Sequence, residues 1–157
     1  MDARIRIAVQ EADFDLTAEI DAMCEGRADI GAVVSFSGLV RDITKAADGR
    51  PVTAMELEHY PGMTERSLRA IAEEACARWP LQAATVVHRV GPLLPGDRIV
   101  LAAAASPHRK AAFEAAEFLM DYLKTKAPFW KKETTPEGEA WVDAREEDDE
   151  AAARWKR

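Results

Sequence analysis

The sequence predicts a single α+β domain, on three observations. Short β-like apolar runs recur between stretches with helical spacing, the length suits one core, and the composition is that of an ordinary globular protein. The 157 residues are 48% hydrophobic and 31% charged, enough apolar material to bury a core without disulfide or metal support. The expected organisation is one domain over residues 1–145 followed by a charged tail over 146–157.

Ile5, Ile7 and Val9 alternate with Arg6 and Ala8, which reads as a half-buried strand. Asp13 or Asp15 can then cap a helix carrying Leu16, Ile20 and Met23. Residues 31–40 (GAVVSFSGLV) are apolar, rich in Val and Phe and too short for a long helix, so a central strand is expected, ending at Arg41. Residues 42–51 turn polar, as a surface loop or lid would. A strand resumes over 52–59, Tyr60-Pro61-Gly62 breaks it, and residues 63–79 carry Leu68, Ile71, Ala72, Ala75, Cys76 and Trp79 at helical spacing.

Residues 85–90 read as a strand, 92–96 as a tight connection and 98–105 as another strand. Four consecutive alanines there favour a helix by propensity alone. Gly96-Asp97 before the run and Ser106-Pro107 after it argue for a strand, with Ser106 as N-cap and Pro107 as first residue of a helix over 107–125. Phe113, Ala116, Glu117 and Met120 fall on neighbouring turns of that helix. Residues 129–134 and 139–144 form an expected hairpin around Thr135-Pro136-Glu137-Gly138, and the remaining residues read as a frayed helix or a disordered tail.

The net charge of −7 argues against a general nucleic-acid binder, which needs a broad cationic surface. Any anion site is therefore local. No apolar stretch approaches the roughly 20 residues that cross a bilayer, and the N-terminus lacks a signal-peptide core, so a cytoplasmic protein without membrane attachment is expected. Cys24 and Cys76 belong to no metal or redox pattern, and Cys76 reads as a core residue.

Two segments can carry chemistry. Ser106-Pro107-His108-Arg109-Lys110 opens a helix after a strand, where unpaired N–H groups and the helix dipole attract anions. Basic side chains there oppose the dipole unless an anion is bound; the ordinary alternative is a solvated first turn. His59 and His88 read as packed or edge histidines. The second segment places Lys124, Lys126, Lys131 and Lys132 among Pro128, Phe129 and Trp130. A lysine beside other cations or apolar walls serves as acid, base or nucleophile; the ordinary alternative is a solvated helix end whose lysines complement the dipole. Strand alternation puts Lys131 and Glu133 on one face and Lys132 on the other. No hydrolase, NTPase, dehydrogenase or metalloprotease signature is present.

Longer strings identify a family. Leu57-Glu58-His59-Tyr60-Pro61-Gly62-Met63-Thr64-Glu65, His88-Arg89-Val90-Gly91, Pro95-Gly96-Asp97 and Ser106-Pro107-His108-Arg109 occur in order. They are followed by Met120 to Glu133 (MDYLKTKAPFWKKE), Thr135-Pro136-Glu137-Gly138 and Trp141-Val142. Together they resemble the large, catalytic subunit of molybdopterin synthase over nearly the whole chain. The resemblance implies an α/β hammerhead fold with an additional small antiparallel β subdomain. It also implies a homodimer within a heterotetramer, whose partner is a small ubiquitin-like sulfur carrier ending in a Gly-Gly thiocarboxylate.

The activity so implied is a sulfurtransferase reaction, in which two sulfurs pass to cyclic pyranopterin monophosphate to form the molybdopterin dithiolene, with no metal and no cofactor. The absence of a catalytic cysteine pattern fits sulfur delivered by another chain. By motif, Lys124 and Lys131 are the implied catalytic pair, and Leu39, Val40, Arg41, His108, Arg109, Lys132 and Glu133 join them in binding substrate. Two rivals stand beside this reading: a phosphate-binding module without turnover, and an inactive scaffold that only docks the partner.

Overall fold

A computed structural model describes residues 2–41, 54–135, 138–142 and 146–156. The loop expected over 42–51 and the Pro136-Glu137 corner lie outside them. Alternating apolar residues give β1 (Arg4–Gln10), and Asp15 caps α1 (Leu16–Cys24) by accepting from the Ala18 N–H at 3.0 Å. The chain continues through β2 (Ala32–Leu39), β3 (Ala54–His59), α2 (Met63–Arg78), β4 (Ala83–Arg89), β5 (Gly91–Leu93), β6 (Arg98–Ser106) and α3 (Arg109–Lys126). It closes with β7 (Phe129–Thr135), β8 (Gly138–Val142) and α4 (Glu146–Ala153).

The first sheet runs β1-β4-β6-β2, with β1 parallel to β4 and the other pairs antiparallel. Alternation splits its two faces. Ala84, Val86, Val100, Ala102 and Ala104 face α2 and α3, packing on Leu68, Ile71, Ala75, Phe118 and Leu119. Ala83, Val87, Leu101, Ala103 and Ala105 face α1, packing on Phe14 and Met23. The alanine run of β6 is thus a strand buried on both sides, where small side chains let helices approach a sheet closely.

The second sheet runs β5-β3-β7-β8, all antiparallel. Its inner face is held by Leu57 and Leu93, which cluster with Val40 from the end of β2. The expected mixed fold with a small antiparallel unit is therefore present.

Several local expectations change. The segment expected as a central strand, β2, lies at the edge of its sheet, and Phe36 stays 45% exposed; an apolar run does not by itself say which strands flank it. The connection expected after Val90 contains β5, which pairs Leu93 with Met55. The start of α3 is displaced by two residues: Ser106 still pairs with Ala32 at the end of β6 and its hydroxyl donates to the His108 carbonyl, so His108 occupies the N-cap position. Phe113 is exposed, and the buried stripe of α3 is Ala112, Ala115, Ala116, Phe118, Leu119, Tyr122 and Leu123.

The charged C-terminal segment, expected as a frayed helix or a disordered tail, forms the helix α4 and docks on α3 and on Trp79, which follows α2. Trp155 meets Trp79 and Phe118 edge-on at 5.5 and 5.7 Å, and its indole N–H donates to Asp121 at 2.7 Å. Cys76 packs against this core, and burial raises its thiol pKa. No helix among the described residues is long and apolar enough to cross a membrane.

Candidate functional site

The antiparallel return of β6 and then α3 sorts the cationic residues into two groups. β6 starts beside Leu39 and ends beside Ala32, and α3 then runs back along the sheet. His108 and Arg109 therefore sit at one end of α3, and Lys124 at the other, about 22 Å away along the axis at 1.5 Å per residue. Arg41, following the buried Val40, lies at the far end of β2 from His108.

At the Lys124 end, two residues, Ala127 and Pro128, join α3 to β7. Ala127 caps α3, its N–H reaching the Leu123 carbonyl at 3.3 Å, and it is extended (φ −86°, ψ 134°) as a residue before proline must be. Phe129 then opens β7 opposite His59, and Lys131 pairs with Leu57. Lys131 shares the inner face with Glu133, as alternation requires; its ammonium is 3.9 Å from the Glu133 carboxylate, which is buried. Lys132 points to the opposite face, with Glu58 and Glu139 each at 3.4 Å and the Trp141 ring at 5.2 Å. Desolvation lowers its pKa, but the Glu139 and Glu58 carboxylates together outweigh that and leave it raised.

His88 underlies this end. Its ring stacks on Phe129 at 3.9 Å and 20°, and it is 3% exposed. Nδ1 lies 2.8 Å from the Arg89 carbonyl, and since a carbonyl only accepts, Nδ1 carries the hydrogen. Burial pushes the imidazole pKa down to about 4, with the charges of Lys124 and His59 adding to the effect and the Arg89 hydrogen bond opposing it. His88 is therefore a neutral, aromatic floor, and the Lys124 charge acts on it.

Thr64 grips the same connector from α2. Its hydroxyl accepts from the Tyr60 N–H at 3.0 Å and donates to the Pro128 carbonyl at 2.9 Å, and the residue is fully buried. The turn before it depends on Gly62, whose φ of +84° favours glycine. The motif 57–65 contains Thr64, yet nothing in its residue type marks it apart from its neighbours.

Around Arg41, Leu39 is 57% exposed, while Val40 is buried and both its backbone groups are engaged, with the Asp97 carbonyl at 2.9 Å and the Gly96 N–H at 2.7 Å. At the other end, His108 and Arg109 are exposed, and the first turn of α3 carries no acidic residue and no side-chain cap. Such a first turn, with no side-chain cap among the described residues, suits an anion or water at its N–H groups. The approach is set by Gly31, where a Cβ would fall 2.0 Å from the Pro107 carbonyl oxygen. Among the described residues no group of three or more His, Cys, Asp or Glu side chains is placed to hold a metal ion.

A family model described as MoaE protein matches residues 9–126. The chain is 59% identical over 152 residues to the molybdopterin synthase catalytic subunit of Mesorhizobium japonicum, covering 96% of this chain and 92% of that one. It superposes on molybdopterin cofactor biosynthesis protein E from Burkholderia multivorans with a TM-score of 0.83, at 53% identity and 98% coverage of each chain. Molybdopterin synthase from Staphylococcus aureus is also similar, with a TM-score of 0.76 and 34% identity over 88% of this chain and 96% of that one.

Proposed function

The chain belongs to the MoaE protein family, and from that premise we propose that it is the catalytic subunit of a molybdopterin synthase. It acts as a sulfurtransferase, moving two sulfurs from the C-terminal thiocarboxylate of a small ubiquitin-like partner onto cyclic pyranopterin monophosphate to give the molybdopterin dithiolene. The observation that carries this reading is the two-residue connector that brings Lys124 and Lys131 to one end of the fold with Arg41.

Each residue has a task set by its position. Lys124 transfers protons or activates the attacked carbon, and Lys131 stabilises negative charge as it develops and orients the thiocarboxylate tail. Glu133, buried beside Lys131, holds that ammonium in place. Arg41, His108 and Arg109 bind the phosphate and pterin, Arg109 being suited to a bidentate grip. Leu39 and Val40 set the position of Arg41, and Lys132 braces β7 through Glu58 and Glu139.

The length of α3 adds a condition. Arg109 and Lys124 are about 22 Å apart in one chain, too far for both to work on one phosphate and its adjoining reaction centre. A homodimer that apposes the Arg109 end of one copy to the Lys124 end of its partner completes the site, and the small subunits make it a heterotetramer. No cofactor is required by this chemistry, because the partner supplies the sulfur. The test is to mix the chain with thiocarboxylated small subunit and cyclic pyranopterin monophosphate and look by mass for a product that has gained two sulfurs; no gain while the partner binds overturns the assignment.

A further inference from the structure

We propose that Thr64 is a positioning residue for the lysine pair, its hydroxyl fixing the connector that sets Lys124 against Lys131. The inference rests on the catalytic reading of those two lysines. Pro128 has no N–H, so its carbonyl is the only backbone polar group it offers, and that carbonyl is taken by a hydroxyl 64 residues earlier in the chain. The Tyr60 N–H occupies an acceptor site on the hydroxyl, which directs its hydrogen at Pro128.

The hydroxyl is therefore tied at both ends. Tyr60 follows His59 at the end of β3, Thr64 opens α2, and Pro128 lies between the two lysines. One buried hydroxyl joins the end of β3, the start of α2 and the connector between the two lysines. His88, stacked on Phe129, holds the residue that follows the connector. Loss of the Thr64 bond lets Pro128 turn its carbonyl toward solvent, shifting β7 relative to the last turn of α3. Catalysis that depends on two cations held at a fixed spacing is sensitive to shifts of about 1 Å.

A cap that merely stabilises α2 would behave differently. In steady-state turnover with thiocarboxylated partner and pterin substrate, well below the melting temperature, Thr64→Val is expected to lower kcat about tenfold or more. KM for the pterin stays within about threefold, because His108 and Arg109 lie at the far end of α3 and Arg41 follows β2 rather than the connector, and Thr64→Ser keeps kcat within about threefold of the parent. Val and Ser variants equally impaired, or a Val variant with unchanged kcat, overturn the proposal.

A readout without turnover separates this from the function itself. With lysine methylenes labelled with ¹³C, the signals of Lys124 and Lys131 shift in Thr64→Val and stay in place in Thr64→Ser. Unmoved lysine signals in Thr64→Val overturn the positioning role even where activity falls. An unmodified chain that makes no product while the signals do shift overturns the sulfurtransferase reading and leaves the positioning role standing.

Discussion

The His88 imidazole stacks on the Phe129 ring at 3.9 Å, and burial holds its pKa near 4. A histidine ordinarily titrates near 6.5 in an unfolded chain, so the folded state binds its proton more weakly than the unfolded state does. The stability this contributes is complete above about pH 6.5 and is lost as pH falls toward 4. The shift corresponds to on the order of 3 kcal/mol. Chemical denaturation at pH 7.5 and 4.5 should show the loss, and His88→Gln should flatten it; an unchanged slope in that variant would assign the acid sensitivity to other groups.

Lys124→Ala and Lys131→Ala should each reduce turnover by about 10²–10⁴, the usual weight of a positioned acid, base or charge stabiliser. Lys132→Ala should cost far less, because that side chain is turned to the other face and bound to two carboxylates. Product mass under single-turnover conditions measures all three. Equal losses at Lys131 and Lys132 would contradict the assignment by face.

A site composed from two copies predicts complementation. Arg109→Ala and Lys124→Ala dimers should each lose most of their activity, but subunit exchange should restore about a quarter of the parental sites, since half of the dimers are mixed and each mixed dimer holds one intact site. Separately purified variants, exchanged by mild denaturation and assayed together, give the answer. Activity that never rises on mixing places both residues in the same chain's site.

Gly31→Ala should destabilise the chain by about 1–3 kcal/mol, because the new methyl meets backbone rather than a movable side chain. The displaced atom belongs to Pro107, next to His108. The affinity for phosphate-bearing substrate should weaken together with stability, and calorimetric binding beside a melting curve would reveal a change in one without the other.

Trp155→Ala should cost about 2 kcal/mol, from two edge-on aromatic contacts and the bond to Asp121. For a chain of this size that lowers the melting temperature by about 4–8 °C. A melting temperature unmoved by the substitution would mean α4 contributes nothing to the core.

The amino-acid pattern carried most element positions, because alternation and helical spacing are local. β4 and α2 were legible for that reason, as was the division of Lys131 from Lys132, and the hairpin expected over 129–134 and 139–144 is present as far as residue 142, the last one described there. The edge position of β2, the pairing of β5 and the docking of α4 depend on distant partners, which periodicity does not encode. Ser106 misled because Ser-Pro is a strong helix start, while here the strand ladder extends through it. At the site, residue type suggested where lysines and arginine gather. Thr64 carried no such signal, since its significance lies in a bond spanning 64 positions.

The alanine run of β6 has an implication for how this sequence drifts. Ala102, Ala103, Ala104 and Ala105 are each 0% exposed, between α3 on one side and α1 on the other. Added volume at any of them pushes a helix away, and overpacking is not relieved by a rotamer. These four positions should thus change as slowly over generations as residues that carry chemistry, because each is fixed by packing on both faces of the strand. Invariance along β6 would record the thickness of the molecule, and a search for reactive groups guided by invariance alone would be drawn to the wrong strand.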